Sequence, residues 1–349
     1  MIVKNYYQIL KSNHSLIDLR SQSEFEKGSF PNAINIPILN DDEREKVGIE
    51  FNNFGKNSAL DLGKKLVNNS KKKKRVNLWL NHLNKFPKTN LLCMRGGLRS
   101  HIAQEWLREN GKEVPLVLGG YKKLRNHCIK ILDRIEEIDQ NWIIIGGRTG
   151  SGKTKLIKKI SNSIDLENIA NHKGSAFGSN TTLQPSTINF ENKLAVEFLQ
   201  KKLNKFLILE DESRSIGKRT IPEKWYQKMK KSQVYILETT FEDRVLNIRK
   251  EYVDEKIQAN VSKELLKNSI INSLHNIKKK LGGVNFQEIS NMILKSFSQS
   301  NMNNHNEWIG SLLKLYYDPM YDYQLLRKKE RISFAGNFDE IKSKLIERF

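Results

Sequence analysis

Short apolar runs alternate with amphipathic stretches through the first two thirds of the chain. Runs rich in Ile, Leu and Val, each short enough for a buried strand, occupy residues 15–20, 33–36, 90–93, 115–118, 142–145, 206–209 and 234–237. Helical periodicity falls between them, most clearly over 60–69 and 98–110. Strands that alternate with helices predict parallel sheets and an α/β fold.

The strand pattern falls into two sets, and 349 residues exceed what one hydrophobic core usually serves. The second set begins at Asn141, after the polar and acidic stretch Asp133–Gln140. We therefore predict a first α/β domain over 1–135 and a second over 136–349. From about Glu255 the pattern turns helical, which predicts a helical C-terminal extension of the second domain.

Charge adds a candidate partner to this picture. The chain has 60 Lys and Arg against 39 Asp and Glu, a net charge of +21, which favours a polyanion such as nucleic acid. The alternative is codon bias, since Lys, Asn and Ile are all abundant. The basic run Lys71–Arg75 is predicted to be an exposed loop or helix end, with direct RNA contact as the alternative. No apolar run approaches the roughly 20 residues that cross a bilayer, and the N-terminus has no signal-peptide pattern. We expect a cytoplasmic protein that does not bind a membrane.

The chain contains two cysteines, too few for a Cys-only zinc site or a disulfide framework. Cys128 lies in the helical stretch 124–132 beside Ile129 and Ile131, so we predict a small core residue. Cys93 is therefore the candidate for thiol chemistry.

Cys93 ends a predicted strand and enters a glycine-rich loop that leads into a helix. Gly96 and Gly97 let successive backbone N–H groups converge on one point. Arg95, Arg99 and the helix N-terminus add positive charge. Together these features are expected to lower the pKa of the thiol and to make Cys93 an acceptor of sulfur or selenium. The alternative is a buried structural cysteine.

The residues around this loop resemble rhodanese-like domains. The resemblance is carried by DLR at 18–20, EF at 24–25, GSFPNAINIP at 28–37, CMRGG at 93–97 and GGY at 119–121. In such domains the loop cysteine carries sulfur, and the resemblance implies this role for Cys93. Asp18 and Arg20 are expected to form a structural salt bridge.

A second glycine-rich loop, GRTGSGKT at 147–154, fits the phosphate-binding pattern GxxxxGK[ST]. A predicted strand precedes it and a helical segment follows, as a P-loop requires. Gly147, Gly150 and Gly152 would let backbone N–H groups point at phosphate oxygens, Lys153 would add a mobile charge, and Thr154 would help to bind Mg²⁺. The motif indicates a phosphate or diphosphate and does not by itself indicate ATP hydrolysis.

Further candidate groups accompany the P-loop. Glu210, Asp211 and Glu212 follow a predicted strand, where a carboxylate could support a metal ion or act as acid or base. The alternative is a solvated acidic loop, and no firm metal site is assigned. His172 in NHKGSAFG is a candidate for phosphate contact or acid–base chemistry, or simply a hydrogen-bonded loop histidine.

Over nearly its whole length the sequence resembles the tRNA 2-selenouridine synthases. Besides the two loops, the matching segments are DLE at 165–167, ANHKGSAFG at 170–178, FEN at 190–192, EDESR at 210–214, IG at 216–217, IP at 221–222 and YYDPMY at 316–321. The resemblance implies conversion of 2-thiouridine at the tRNA wobble position to 2-selenouridine. The selenium donor would be selenophosphate, and the reaction would pass through an S-geranyl intermediate made from geranyl diphosphate.

The resemblance also assigns roles to the two loops. Cys93 would attack or relay in the selenium step, with Arg95, Gly96, Gly97 and Arg99 holding the anionic group. The P-loop would hold a diphosphate together with Mg²⁺; the alternative occupant is a nucleotide, ATP or GTP. The anticodon region of tRNA is the expected partner, and a selenophosphate synthetase is a second one.

The C-terminal stretch interleaves tyrosines with cations, and its candidates for tRNA contact are Tyr316, Tyr317, Arg327 and Lys328. Packing within the protein is the alternative for the tyrosines. Three rival functions remain open on the sequence: a P-loop kinase or NTPase with a regulatory rhodanese domain, a non-catalytic RNA-binding or sulfur-carrier module, and geranylation without selenation.

Overall fold

The computed structural model describes residues 2–12, 14–178, 182–298 and 304–347. Its strands are β1 Ile2–Val3, β2 Ser15–Asp18, β3 Ala33–Asn35, β4 Thr89–Leu92, β5 Leu116–Val117, β6 Trp142–Gly146, β7 Ser163–Ile164, β8 Leu207–Glu210, β9 Ser215–Ile216, β10 Arg219–Thr220, β11 Gln233–Leu237 and β12 Ile332–Gly336. Its α-helices are α1 Tyr6–Lys11, α2 Gln22–Glu26, α3 Asp41–Leu66, α4 Asn69–Lys85, α5 Leu98–Arg108, α6 Gly120–Asp133, α7 Lys153–Ile157, α8 Leu166–Ala170, α9 Thr187–Leu199, α10 Glu223–Lys231, α11 Phe241–Arg249, α12 Glu255–Gln258, α13 Lys263–Leu281, α14 Gly283–Ser298, α15 His305–Leu312, α16 Asp318–Leu326 and α17 Phe338–Ile346. Short 3₁₀ turns lie at Ile135–Glu137 and Lys329–Arg331, and π-helical turns at Lys250–Asp254 and Leu313–Tyr317.

The chain forms two compact units, and the first comprises Met1–Arg134 and Pro185–Gln200. Its sheet has the order β1-β5-β4-β2-β3, with every pair parallel. Both faces of the central strands are covered, which explains their unbroken apolar runs. Trp79 is fully buried in this core and donates its indole N–H to the carbonyl of Ile36 at 2.9 Å. The strand predictions in this part of the chain are confirmed to within about two residues at each end.

The compact units differ from the two predicted domains at helix α9, which belongs to the first unit although it follows the P-loop in sequence. Its polar residues explain the attachment. Asn189 accepts from the backbone N–H of Ser29 at 2.6 Å, and Asn192 donates to the Ser29 carbonyl at 2.8 Å. Arg125 donates to Asn192 at 3.0 Å and forms an ion pair with Glu191.

The second unit comprises Ile135–Gln184 and Lys201–Phe349. Its five-stranded sheet has the order β12-β11-β6-β8-β7, again with every pair parallel, and β9 and β10 form a separate antiparallel pair. The predicted helical C-terminal region is confirmed, and β12 within it adds an edge strand to the sheet. This strand is only partly buried, so its sequence, ISFAG, lacks the long apolar run of the central strands.

One local prediction is corrected and another is confirmed. The helical stretch predicted at 60–69 is the end of the much longer α3, which is kinked at Gly55. The basic run Lys71–Arg75 lies in the first turns of α4, which is the helix end that the sequence predicted as one of two possibilities. Lys71 and Arg75 both bind the buried carboxylate of Glu43, and Arg75 also donates to the carbonyl of Ile38 at 2.6 Å. Among the described helices, none is long and apolar enough to cross a membrane.

Candidate functional site

Cys93 lies directly after the buried strand β4, at its carboxyl end, and only 3% of its surface is exposed. The start of α6 holds the loop in place. The backbone N–H of Tyr121 donates to the Cys93 carbonyl at 2.9 Å, and that of Lys122 donates to the Met94 carbonyl at 3.0 Å. The cysteine loop is thus fixed by hydrogen bonds to a segment 28 residues further along the chain.

Two glycines allow this close approach. Gly96 has φ +61°, and a Cβ at this position would meet the Val117 carbonyl oxygen and the Gly119 nitrogen, both at 2.7 Å. Gly120 has φ +58°, and a Cβ there would lie 2.1 Å from the Cys93 carbonyl oxygen. Both positions combine a left-handed backbone with no room for a side chain, so only glycine fits.

The cysteine loop presents positive groups that are not used within the protein. In the described part of the chain, the amide N–H groups of residues 95–98 have no hydrogen-bond partner, and the exposed side chain of Arg95 has no ion-pair partner. Arg99 differs from the prediction, because its guanidinium binds the Glu24 carboxylate at 2.6 Å. Burial opposes the charge on Arg99, but the bonds to Glu24 more than offset it and raise the pKa of Arg99. Arg95 and the free amides therefore form the available part of the anion cradle.

The expected structural roles of three nearby residues are confirmed. Arg20 binds the Asp18 carboxylate at 2.6 Å and the Gly28 carbonyl at 2.7 Å, and its guanidinium lies over the Tyr121 ring at 3.7 Å. Both charged groups are buried, so the pair belongs to the core. Cys128 is fully buried, and burial raises the pKa of its thiol to about 12. Its thiol is therefore protonated at neutral pH.

The P-loop follows β6 and ends at α7, the strand–loop–helix order that phosphate binding requires. Gly147, Gly150 and Gly152 all have positive φ. The ammonium group of Lys153 donates to the Gly147 carbonyl at 2.8 Å, so it is held against the loop that would carry the phosphates. The residues predicted to bind phosphate are thus brought together as one loop.

Distant residues hold the P-loop in this form. The buried guanidinium of Arg244 donates to the Thr149 carbonyl at 2.9 Å and binds both carboxylate oxygens of Asp318. Asn247 donates to the Gly150 carbonyl at 2.9 Å. The exposed Arg148 pairs with Asp322 at 2.6 Å. Helices α11 and α16 therefore support the loop from positions about 100 and 170 residues away in sequence.

Two carboxylates contact the hydroxyl of Thr154, and a third lies close to these two. This hydroxyl lies 3.1 Å from Glu167 Oε2 and 3.0 Å from Glu210 Oε2, and its single hydrogen cannot serve both. Oxygens of Glu167, Glu210 and Glu212 all lie within 4.8 Å of one another. Burial and then repulsion by Glu167 raise the pKa of Glu210 well above its usual value and that of Glu212 to about 8.

These residues fit a divalent cation. The second oxygen of Glu210 is buried and has no partner among the described residues. A hard cation such as Mg²⁺ takes carboxylate and hydroxyl oxygens together with those of phosphates. It would also relieve the repulsion that raises the pKa of these carboxyls.

Asp211 and Lys328 have partners within the protein, and two C-terminal tyrosines adopt the packing that the sequence left open as an alternative. Asp211 does not join the carboxylate cluster, because it forms a largely buried ion pair with Lys328. Lys328 is thereby unavailable to RNA. Tyr317 is buried in the helical core, and the ring of Tyr316 packs edge-on against it at 5.0 Å. Arg327 is exposed, and its guanidinium lies 5.9 Å from the Tyr323 ring centre.

His172 lies next to β9 and α8 in the second unit. Its ring packs so close to Gly217 that a Cβ on this residue would lie 2.7 Å from the Cδ2 atom of His172. Its backbone N–H donates to the Glu167 carbonyl at 3.0 Å. Burial lowers the pKa of the imidazole, which favours the neutral ring at pH 7. Its Nδ1 atom is buried and has no partner within the described residues.

Glu167, Arg244 and Asp318 belong to the site but are not predicted from the sequence. Glu167 and Asp318 lie in segments that resemble the synthases, at 165–167 and 316–321, so a signal was present without an indication of the role. Arg244 lies outside every segment named there.

Comparison with known proteins covers both units. A family model described as the tRNA 2-selenouridine synthase AAA domain matches residues 140–348, and a model of the rhodanese-like domain matches residues 3–127. A tRNA 2-selenouridine synthase from Shewanella denitrificans is 42% identical over 335 residues, covering 92% of this chain and 91% of that protein. The synthase from Marinobacter nauticus is 39% identical, covering 95% of this chain and 94% of its own. The synthase from Hydrogenovibrio crunogenus is 40% identical, covering 99% and 98%.

Proposed function

This chain belongs to the tRNA 2-selenouridine synthase family, and on that basis we propose that it replaces the sulfur of 2-thiouridine at the tRNA wobble position with selenium. The supporting observation is that both reactive loops are intact and preorganised in one chain. Cys93 lies beside a cradle of unused amides, and Lys153 and Thr154 lie beside three carboxylates.

The first step is alkylation of the substrate. The sulfur of 2-thiouridine attacks C1 of geranyl diphosphate, a C–S bond forms, the C–O bond breaks, diphosphate leaves, and N3 of the base releases its proton. The P-loop amides and Lys153 bind the diphosphate and stabilise the charge that develops on it. Thr154, Glu167, Glu210 and Glu212 would hold Mg²⁺, which supplies further neutralisation of that charge when bound.

The second step exchanges the chalcogen. The selenium of selenophosphate attacks C2 of the modified base, and the geranyl thiolate leaves and takes up a proton. Hydrolysis of the Se–P bond then releases phosphate and 2-selenouridine. Arg95 and the amides of residues 95–98 bind the selenophosphate anion beside Cys93, on which this step depends. The enzyme that makes selenophosphate is accordingly a predicted partner.

Nucleoside mass spectrometry of 2-thiouridine tRNA, incubated with geranyl diphosphate and selenophosphate, tests the reaction. We expect 2-selenouridine with the unsubstituted protein and only the S-geranyl nucleoside with Cys93→Ala. Cys128→Ala is the matched control, because it removes a thiol that is buried and protonated. If the unsubstituted protein stops at the S-geranyl nucleoside, the selenation step is wrong. If neither product forms while ATP is hydrolysed regardless of Cys93, the protein is instead a P-loop NTPase.

The division of labour between the loops has its own test. Lys153→Ala is expected to abolish geranylation but to leave tRNA that is already geranylated a substrate for selenium exchange. Lys155→Ala is the control, because this lysine is exposed two residues further along the same helix. Loss of both steps in a folded Lys153→Ala protein would refute the assignment of separate steps to the two loops.

A further inference from the structure

The second unit contains a cavity of about 380 Å³ that is bordered by the P-loop residue Thr149. Helices α13 and α15 and the π turn that follows α15 provide most of its walls. Its lining is mainly aliphatic and aromatic, including Ile248, Leu266, Ile270 and Trp308. A site for phosphate is therefore continuous with a site for apolar atoms.

Several polar groups in the lining bond within the protein. The hydroxyls of Ser175 and Tyr252 lie 3.0 Å apart and bond to each other, and burial raises the pKa of Tyr252, which keeps it neutral. Ser273 donates to the carbonyl of Ser269 at 2.9 Å. The buried hydroxyl of Tyr317 has no partner among the described residues, but most of the lining is apolar. A nucleotide base in this cavity would therefore regain only part of the hydrogen bonds that it loses to water, whereas a hydrocarbon chain would lose none.

One loop connects the cavity to the carboxylate cluster. The backbone N–H of Gly174 donates to Glu167 Oε1 at 2.5 Å, while the following residues Ser175 and Phe177 line the cavity. The same short loop therefore contacts the carboxylate cluster at one end and the apolar cavity at the other.

We propose that this cavity binds the hydrocarbon chain of an allylic diphosphate whose diphosphate lies on the P-loop. The inference rests on the proposed function, and it identifies the part of the chain that selects an isoprenoid donor over a nucleotide. The depth of the cavity then sets the preferred chain length, because each buried methylene tightens binding about fourfold.

Calorimetric titration of the full chain with geranyl diphosphate and with inorganic diphosphate, both with Mg²⁺, tests the inference. We expect geranyl diphosphate to bind on the order of 100-fold more tightly, because its chain is buried. Ser273→Trp, which places a large ring at the half-exposed edge of the cavity, is expected to reduce this ratio to below about 10-fold and to leave the affinity for inorganic diphosphate unchanged. Asn272→Trp is the matched control, because it adds the same ring to the neighbouring exposed position outside the lining.

The other outcomes separate this inference from the proposed function. Equal affinity of the unsubstituted protein for the two ligands would refute the hydrocarbon site and leave a diphosphate-binding P-loop in place. If Ser273→Trp raises the melting temperature and leaves the affinity ratio unchanged, the cavity is a packing gap and the inference fails. Tight ATP binding with no binding of either diphosphate would refute the proposed donor itself.

Discussion

Gly120 offers the most direct test of how the cysteine loop is held. In Gly120→Ala, the new Cβ would stand 2.1 Å from the Cys93 carbonyl oxygen and 2.5 Å from the Gly96 nitrogen. These are backbone atoms, so the loop must move away. Its movement would break the hydrogen bonds from Tyr121 and Lys122 to the loop carbonyls.

The expected magnitude follows from these losses. An L-residue with positive φ costs about 1–2 kcal/mol, and two lost hydrogen bonds cost about 1 kcal/mol each. We therefore expect Gly120→Ala to lower the free energy of unfolding by about 3–4 kcal/mol. Gly111→Ala is the matched control, because Gly111 has φ +74° but no atom within 4 Å of its Cβ position. It should lose only the backbone cost of about 1–2 kcal/mol.

The functional consequence is measured on tRNA that is already geranylated, which isolates the selenium step. A displacement of Cys93 by about 1 Å should slow this step on the order of 100-fold in Gly120→Ala. Gly111→Ala should retain the rate of the unsubstituted protein, and both variants should still geranylate 2-thiouridine tRNA through the P-loop. A folded Gly120→Ala protein with an unchanged selenation rate would refute the claim that this contact positions Cys93.

Three further predictions concern charged groups. Arg99 holds the pKa of Glu24 below its usual value against the effect of burial, so the pair stabilises the fold above about pH 4.5 and loses this contribution as the pH falls through the folded pKa. Glu24→Gln should therefore lower the free energy of unfolding by about 1–3 kcal/mol at pH 7 and by much less near pH 3, and a pH-independent difference in denaturant titrations would contradict this. Arg244→Ala should lower the free energy of unfolding by about 3–5 kcal/mol, because it leaves the largely buried Asp318 without its partner, and it should weaken diphosphate binding at least 10-fold. Arg148→Ala breaks an exposed pair and should lower the free energy of unfolding by under about 1 kcal/mol. Equal losses in the two variants would show that burial does not decide the effect. Burial and repulsion by Glu167 raise the pKa of Glu212 to about 8, so in EDTA the melting temperature should fall as the pH rises from about 5 to 9. Mg²⁺ or Glu212→Gln should reduce this fall. If neither Mg²⁺ nor the substitution changes the pH dependence of the melting temperature, the cation site is refuted.

Features carried by contiguous residues were predicted well from the sequence. Strands β2, β4, β6 and β11 appear as apolar runs because central parallel strands are buried on both faces. The P-loop and the cysteine loop were also predicted because each consists of contiguous residues: one strand, one loop and the start of one helix. Edge strand β12 was missed because it is only partly buried and its alternation is too weak to separate it from the helices around it.

Individual side-chain roles were predicted less well, because a residue type does not reveal its partner. Arg99 has the charge expected of an anion ligand, but Glu24, 75 residues earlier, binds it. Lys328 and Tyr317 have the chemistry of an RNA-binding surface, but an ion pair with Asp211 and burial in the helical core use them within the protein. Among Glu210, Asp211 and Glu212, alternation along the chain decides which side chains join the carboxylate cluster.

The sequence by itself determined the two α/β sheets, the cysteine loop, the phosphate loop and the family, because these depend on short-range order along the chain. Tertiary structure alone decided which distant residues complete each loop. Gly120 closes the cysteine loop, Arg244 and Asp318 brace the P-loop, and Glu167 completes the carboxylate cluster. It also created the apolar cavity beside Thr149, whose walls come from helices more than 100 residues away. Such contacts depend on the path of the chain through space. Close packing of the whole unit determines this path, and no local sequence pattern shows it.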